Sequence, residues 1–372
     1  MTNATGNETD LTHNYFYDDS IYEKGDLLYY IVYPILVPVG VIGNFMSFVI
    51  FIQLSQSSSF FLYLSILSLS DLAFIIVGAM MGWIEVLRNN LFYEDISSFL
   101  CSAKYALVFV FSQFSSWIIV AVTVDRFIAV CFPFKVTEYC TRRRTAMTSL
   151  FLFLIICGIN FPNICFKWEN DECVYPEITF EYCLQYSIMI DLMVYFVAPV
   201  SLICVLNIIT LRMLYGALKR RRRLVNRDPK NDSDGPNITD EDSTKQTIAM
   251  LLVVSGVYVI TSLPMAYGSM IVLMEGAQHS TDADTYLVNV ILELSNTINH
   301  STNFILYGIS GSTFRQKLFQ MLRTCLRRQK DGKESSSSII HSTNTASTSE
   351  DDRNRSQSIA TIELNDVQLQ TF

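Results

Sequence analysis

Seven long apolar runs limit what this chain can fold into more than any other feature of its sequence. Each run is close to the ~20 residues that an α-helix needs to cross the hydrocarbon core of a bilayer. Backbone groups without internal hydrogen bonds are not tolerated in lipid, so the runs are predicted to be helices. Since they lie too close together for separate soluble domains, we predict an all-α membrane protein, a bundle of seven transmembrane helices. The runs are Leu28–Gln53, Phe60–Ile84, Leu100–Phe132, Ala146–Phe166, Tyr186–Tyr215, Thr247–Met274 and Tyr286–Ile309.

Charge supports this assignment and sets the orientation of the bundle. Only 17% of the residues are charged, against about 25% in an average soluble domain. Lys and Arg are concentrated in one set of loops, which the positive-inside rule places in the cytosol. The amino terminus is therefore predicted to lie outside, in a multi-pass protein of the plasma membrane. Asn3 and Asn7 lie in N-x-T sequons of the acidic leading segment, and both are predicted to be glycosylated.

Few charged residues lie within the apolar runs. Asp125 and Arg126 are adjacent near the end of the third run. A charge at the centre of a membrane helix costs at least ~2.5 kcal/mol, so we expect this pair at a membrane face, where the acid neutralises the base. Asp71 lies about halfway along the second run. A lone carboxylate within the membrane is a candidate functional site; the alternative is a carboxylate satisfied by neighbouring hydroxyls.

Five short motifs occur in register along the seven runs. They are Gly43-Asn44, LSLSD ending at Asp71, Cys101 one long helix before Asp125-Arg126-Phe127, SLP ending at Pro264, and Asn303-Phe304-Ile305-Leu306-Tyr307. In order and spacing they resemble the rhodopsin-like (class A) G-protein-coupled receptors. The sequences CFPFKVTEYCTRRR and HSTNFILYGISGSTFR are most similar to those of invertebrate neuropeptide receptors of the FMRFamide/myosuppressin type.

The resemblance implies a switch that faces a heterotrimeric G protein. In such a receptor, Asp125 holds Arg126 in the inactive state, and the released Arg126 meets the G protein. Tyr307 belongs to the same switch. Phe127 stands where the family usually has Tyr, and Thr244 stands where it usually has an acidic partner for the arginine, so a second restraint on Arg126 is doubtful.

The resemblance also implies an allosteric sodium ion held by Asp71, Ser115, Asn299 and Asn303. A carboxylate that offsets the charge of a hard cation suits this chemistry. The alternative is a hydrogen-bond network filled with water. No other cofactor is expected.

A disulfide bond from the outer end of the third run to the second outer loop is a further implication of the resemblance. Cys101 is one partner. Cys173, in the middle of the loop, is our choice for the other, and Cys183 remains the alternative because it lies a few residues before the fifth run.

The predicted outer segments carry far more acidic than basic residues, and such a field attracts cationic ligands. We therefore expect an extracellular neuropeptide that is short and basic, or amidated at its carboxyl end. Asp191 and Glu293 should face inward at the mouth of the bundle, because charge facing lipid is costly; the alternative is that they pair with Lys104 or Arg88. The predicted ligand contacts are Trp83, Glu85, Val108, Ser112, Asp191, Tyr267 and Glu293.

Two other ligand classes are disfavoured by position. By the resemblance, Val108 stands where amine receptors carry the aspartate that binds the ligand amine. Thr297 stands where opsins carry the lysine that binds retinal. Neither a monoamine nor retinal is therefore expected.

The chain divides into three predicted parts. Residues 1–27 form an extracellular glycosylated tail, and 28–325 form the receptor domain, with a third cytoplasmic loop at about 216–246. An amphipathic helix at about 311–325 should lie on the membrane lipid, with Cys325 as a palmitoylation site. Residues 326–372 are rich in Ser and Thr and predicted to be disordered; by the resemblance, this tail recruits receptor kinases and arrestin. No nucleic acid partner is expected.

Two other classes of function were weighed against a receptor. An ion-coupled transporter or channel could use Asp71, but many transporters have internal repeats and none is visible here. An enzyme is disfavoured because only His300, of four histidines, lies within a run, and no nucleophile–base pair or metal spacing is visible.

Overall fold

Seven long helices, one for each predicted run, make up most of the described chain. The computed structural model describes residues 24–87, 98–162, 167–169, 172–174, 180–227, 238–275, 283–324 and 327. Residues 24–31 are helical and precede the first long helix. The seven helices are α1 (Tyr33–Leu54), α2 (Ser59–Phe74, continuing as Met81–Leu87), α3 (Ser98–Cys131), α4 (Arg142–Ile159), α5 (Phe180–Ile190, continuing as Ala198–Arg227), α6 (Ile238–Glu275) and α7 (Ala283–Ser310).

Five of these helices, α1, α2, α3, α5 and α6, are long and apolar enough to cross a membrane by length and composition. The other two are more polar for different reasons. α4 opens with three arginines, Arg142 to Arg144. α7 turns polar side chains into the bundle, so its low apolar content reflects a buried polar face. The buried polar residues of α7 are Asn296, Thr297, Asn299, His300, Ser301 and Asn303.

Two helices contain π-helical segments, at Ile75–Met80 in α2 and at Asp191–Val197 in α5. A π-helical segment shifts the register of the residues that follow it, and such segments are frequent at functional sites. The first begins one turn beyond Asp71. The second contains both Asp191 and the buried Tyr195, so it determines which side chains α5 presents to the bundle.

Glycines allow α1 to approach α2 and α7 closely. A Cβ atom on Gly40 would lie 2.6 Å from Cδ1 of Ile75, and one on Gly43 would lie 2.8 Å from Cβ of Phe304. Small residues at such contacts are a common means of packing helices in membranes. The Gly43-Asn44 motif thus packs against Phe304 of the α7 motif.

A short antiparallel hairpin lies between α4 and α5; the other elements of the described chain are helices, and the all-α class is confirmed. Strands β1 (Lys167–Glu169) and β2 (Glu172–Val174) pair so that Trp168 is opposite Cys173. Both strands contact α3. The side chains of Cys101, Cys173 and Cys183 lie outside the described residues, so the choice between the two disulfide partners stays a prediction.

Several helix ends differ from the apolar runs. Helices α5 and α6 continue into the predicted loop at 216–246, to Arg227 and from Ile238 respectively. The apolar criterion detects only the part of a helix that lipid covers, whereas Lys, Arg and Leu sustain a helix beyond the membrane edge. Residues 228–237 lie outside the described chain.

The bundle belongs to a unit that ends at Phe314, and a second unit begins at Arg315. Residues 312–324 are helical, where the surface helix was predicted. In the second unit Phe319 is 58% exposed and Leu322 is 45% exposed, as the apolar face of a helix on lipid would be. Asn3, Asn7, Cys325 and the tail of 328–372 fall outside the described residues.

Candidate functional site

One end of α3 holds an ion pair between Asp125 and Arg126. We call this pair, together with Ser59 and Phe60 that contact it, the Arg126 switch. Arg126 donates to Oδ2 of Asp125 through Nε at 3.1 Å and also through Nη2. Ser59 donates its hydroxyl to Oδ1 at 2.8 Å. The guanidinium lies over the Phe60 ring, 4.6 Å from its centroid. Both charges are therefore satisfied within the bundle, and Arg126 is held rather than offered to a partner.

The loop after α3 closes on the same aspartate. The thiol of Cys140 donates to the main-chain carbonyl of Asp125, with a sulfur–oxygen distance of 3.8 Å. Burial, together with the negative charge of Asp125, raises the pKa of Cys140 to about 12. The thiol therefore stays protonated at neutral pH and keeps its role as a donor. The side chain of Thr244 is not among those described.

Tyr307, the third predicted switch residue, is fully buried near this end of α7. Its ring packs edge-on against Phe51 at 4.9 Å between centroids and also contacts Phe314. Its hydroxyl has no hydrogen-bond partner among the described residues. A rearrangement that gives this hydroxyl a partner would therefore break no hydrogen bond between it and those residues.

Asp71 lies at the centre of a buried polar group, the Asp71 cluster, which also contains Ser115, His300 and Asn303. Ser115 donates to Oδ1 of Asp71 at 2.8 Å, and Nδ1 of His300 lies 2.7 Å from the same oxygen. Asn303 donates its amide to Oδ2 at 2.7 Å. The cluster joins α2, α3 and α7 around a carboxylate with no exposed surface.

Asn299, predicted to join this cluster, makes a different contact. Its amide nitrogen donates to the hydroxyl of Tyr195 at 3.1 Å, and that hydroxyl donates to Oδ1 of Asn296 at 2.9 Å. No hydrogen bond joins Asn299 to Asp71 in the described structure. Asn296 and Asn299 are one turn apart on α7, so they share the face that meets α5.

A pair of tyrosines joins α5 to α6. Tyr258 donates its hydroxyl to the main-chain carbonyl of Tyr195, and the two rings meet edge-on at 5.9 Å. Ser262 donates to the Tyr258 carbonyl of its own helix at 2.6 Å. Ser295 donates to the Thr261 carbonyl at 2.8 Å, which ties α7 to α6 beside Pro264. Tyr195 and Tyr258 thus link α5, α6 and α7.

Asp191 is also buried, at the start of the π-helical segment of α5. Its Oδ1 accepts from Nε2 of Gln113 at 3.3 Å, and Asn160 donates to Oε1 of Gln113 at 2.6 Å. Trp117 donates to the main-chain carbonyl of Val194 at 2.9 Å and fixes the π-helical segment to α3. Among described residues no ion pair neutralises Asp191, so it does not pair with Lys104.

At the end of the bundle opposite Arg126, an acid lies among aromatic side chains. This acidic aromatic site consists of Glu293, Tyr29, Tyr33 and Trp83. Tyr29 donates to Oε2 of Glu293 at 2.7 Å, and its ring lies 4.5 Å from that of Tyr33. Trp83 packs against the cluster that contains both tyrosines, and its buried Nε1 has no hydrogen-bond partner among the described residues. The site can therefore offer a carboxylate, aromatic faces and a free N–H donor to a ligand.

The other predicted ligand contacts divide into two groups. Ser112 is 4% exposed on α3, and Val108 packs near Gly78 of α2, so both face the bundle. Tyr267 is 69% exposed. Its neighbours Ser262, Ala266 and Ser269 are buried and define the inner face of α6, which Tyr267 does not share. The Glu85 side chain is outside the described set.

Several residues of the site were missed in the sequence. His300 precedes Asn303 by one helical turn, so its place on the same face was readable from helical spacing. Gln113 likewise lies two residues before Ser115 within an apolar run, where a polar side chain calls for a partner. Tyr29 and Tyr195 gave no such signal, because Tyr29 precedes α1 and a π-helical segment sets the direction of Tyr195.

Comparison with known proteins adds a family and relatives to this geometry. The family described as 7 transmembrane receptor (rhodopsin family) matches residues 43–307. The chain is 23% identical to an FMRFamide receptor of Drosophila melanogaster over 298 residues, which cover 74% of this chain and 50% of the fly receptor. It is 24% identical to an FMRFamide peptide receptor of Caenorhabditis elegans over 314 residues, covering 78% of this chain and 68% of the relative. The thyrotropin-releasing hormone receptor of Gallus gallus is 22% identical over 321 residues, which cover 78% of this chain and 77% of that receptor. The chain spans about half the length of the fly receptor.

Proposed function

The chain belongs to the rhodopsin family of seven-transmembrane receptors, and on that premise we propose that it binds an extracellular neuropeptide and activates a heterotrimeric G protein. The peptide is short and basic or carries an amidated carboxyl end. The family match confirms the resemblance inferred from the motifs, and it excludes the transporter or channel weighed as the alternative. We infer the ligand class from the acidic aromatic site around Glu293.

The chemistry of that site suits a guanidinium or an ammonium group. A carboxylate can accept two parallel hydrogen bonds from a guanidinium, which adds geometric specificity as well as binding energy. The faces of Trp83, Tyr29 and Tyr33 attract a cation by their quadrupoles, by about 0.5–2 kcal/mol for each well-placed ring. Relatives whose names include FMRFamide support a peptide that contains arginine.

Asp191 provides a second acid deeper in the bundle. Its hydrogen-bonded partner is the neutral amide of Gln113, and a buried charge without a counter-charge is costly. A cationic group of the ligand that reaches Asp191 would remove this cost. Ligand binding there would act directly on the π-helical segment of α5 that carries Tyr195.

Binding at these acids can reach the Arg126 switch through contacts already described. Tyr195 bonds to Asn296 and Asn299 of α7, and Tyr258 bonds to the carbonyl of Tyr195. A displacement of α5 therefore changes hydrogen bonds on α6 and α7. Release of Arg126 from Asp125 is the event that we propose to expose the arginine to the G protein.

The proposal extends to parts of the chain outside the described residues. A Cys101–Cys173 disulfide would hold the hairpin over the ligand entrance. Asn3 and Asn7 would carry sugar outside the plasma membrane, with the carboxyl tail inside. Cys325 would be palmitoylated, the surface helix would bind lipid, and receptor kinases and arrestin would act on the tail.

Expression of the full chain in cells with a calcium or cyclic-nucleotide reporter tests the ligand class. We expect responses to basic, amidated peptides and none to monoamines. Surface expression is verified with an epitope at the amino terminus, detected on unpermeabilised cells. If the receptor is verified at the cell surface and gives no response to any peptide of a broad neuropeptide library, the peptide assignment is overturned.

Glu293→Gln tests the acidic aromatic site. The substitution keeps the shape of the side chain and the bond from Tyr29 but removes the charge. A hydrogen bond to a charged group contributes about 1.5–3 kcal/mol, so an arginine-containing peptide should lose about tenfold to a hundredfold in potency. An analogue with citrulline in place of arginine should change little, and both dose–response curves are measured side by side.

Glu138→Gln is the matched control for that substitution, because Glu138 is exposed and lies 3.8 Å from Arg144 at the Arg126 end of the protein. It should leave both curves unchanged. Equal losses for the charged and the neutral peptide with Glu293→Gln would remove Glu293 from the ligand contacts while leaving the receptor assignment in place.

A further inference from the structure

The space beside Asp71 contains a side chain where the family resemblance assigns a sodium ion. The imidazole of His300 is 1% exposed, and its Nδ1 lies 2.7 Å from Oδ1 of Asp71. The ring is stacked on Phe74, with 4.0 Å between centroids and 32° between planes. A hydrogen bond on one edge and an aromatic ring on one face hold the imidazole in this position.

The carboxylate of Asp71 is also fully engaged by protein donors. Oδ1 accepts from Ser115 and His300, and Oδ2 accepts from Asn303. Because a carboxylate only accepts, Asn303 must present its amide nitrogen to it, which turns the amide oxygen away. A hard cation requires oxygen ligands, and the cluster instead surrounds Asp71 with nitrogen and hydroxyl donors.

The other side chains expected at a sodium site also act as hydrogen-bond donors. Asn299 donates its amide nitrogen to the Tyr195 hydroxyl, and the Ser115 hydroxyl, which donates to Asp71, also lies 2.9 Å from the Ser70 hydroxyl. Ser70 in turn donates to the main-chain carbonyl of Phe111 at 3.0 Å. The residues present therefore do not fit a sodium ion at Asp71.

We propose that His300 is the built-in partner of Asp71, and that this receptor does not bind sodium there. The imidazole carries an Nδ1–H in one neutral tautomer and in the cation, so it can donate to Asp71 in either charge state. Its Nε2 has no hydrogen-bond partner among the described residues, so Nδ1 is the ring nitrogen that bonds to the protein there. The sodium concentration then has no direct effect on the contact between α2, α3 and α7, whichever ligand the receptor binds.

Thermal unfolding of the purified full-length receptor in detergent tests the proposal with sodium itself as the probe. The midpoint is measured in about 150 mM NaCl and in choline chloride at the same ionic strength. The wild-type midpoint should be equal in the two salts. His300→Ser, which empties the space and adds an oxygen, should gain a sodium-specific rise of about 2–4 °C.

His300→Asn is the second variant, with a side chain closer in size and an amide oxygen to offer. The matched control is Asp71→Asn combined with His300→Ser, in which the sodium-specific rise should vanish because the carboxylate is gone. Potassium chloride, measured in parallel, distinguishes a sodium site from a general salt effect.

Two outcomes would overturn the proposal. A sodium-specific rise in the wild type that Asp71→Asn abolishes would place the ion beside His300 after all, and this comparison requires no His300 variant to fold. Folded His300→Ser and His300→Asn proteins that gain no response to sodium would show that the imidazole is not what excludes the ion.

Discussion

Asp125→Asn is expected to raise signalling in the absence of ligand by about tenfold, because it removes the charge that holds Arg126. Both contacts of the guanidinium with Asp125 are made to Oδ2. A neutral amide there weakens a charge-assisted hydrogen bond by about 1.5 kcal/mol or more, and each 1.4 kcal/mol changes a two-state population tenfold. The basal second-messenger level, normalised to receptor at the cell surface, is the measurement.

Two further variants separate the ion pair from its surroundings. Ser59→Ala removes one hydrogen bond to Oδ1 of Asp125 and leaves the charge in place, so its effect on basal signalling should be smaller. Arg126→Gln should stay silent with or without ligand, since the group proposed to meet the G protein is absent. Unchanged basal signalling in Asp125→Asn would show that this pair does not restrain the receptor.

The Arg126 switch could be predicted from the sequence because its two charges are adjacent in the chain. A charged pair at the end of an apolar run is expected at a membrane face. Because the two residues are adjacent in the chain, their contact can be predicted without knowing how the helices pack. Ser59 and Phe60 could not be found in this way. They come from the start of α2, and only the packing of α2 against α3 brings them to Asp125 and Arg126.

The Asp71 cluster was predicted in part. Ser115 and Asn303 followed from the family motifs, which record positions and not side-chain directions. His300 was noted only as evidence against an enzyme, although its spacing from Asn303 places both on one face of α7. Asn299 was assigned to the same cluster, but the hydroxyl of Tyr195 competes for its amide. That competitor depends on the π-helical segment of α5, which a regular period of 3.6 residues does not reveal.

In the acidic aromatic site, too, the sequence predicted what depends on one residue's own environment and missed a contact between residues far apart in the chain. The inward direction of Glu293 was predicted from the cost of charge facing lipid. Its hydrogen-bond partner Tyr29 is 264 positions away in sequence and lies in the helical residues that precede α1. Tyr267 is exposed although the neighbouring Ala266 is buried, because one position along a helix rotates a side chain by about 100°.

Asp71→Ala is expected to have the largest effect on the stability of the bundle. The substitution leaves Ser115, His300 and Asn303 as buried donors without their acceptor. Each unsatisfied buried group costs about 1–3 kcal/mol, and the total stability of a domain is about 5–15 kcal/mol. We expect little receptor at the cell surface, and a midpoint of thermal unfolding lowered by about 10 °C or more in any protein recovered.

Ser68→Ala is the matched control on the same helix, because Ser68 is equally buried but donates to the Leu64 carbonyl of its own turn. Its midpoint should change by no more than a few degrees, about the effect of one neutral hydrogen bond. His300→Phe keeps a ring against Phe74 while removing the donor to Asp71. If His300 and Asp71 act as a pair, adding His300→Phe to Asp71→Ala should cost less than the two single losses combined, because one unsatisfied donor disappears. Strictly additive losses in the double variant would show that the two side chains stabilise the bundle independently.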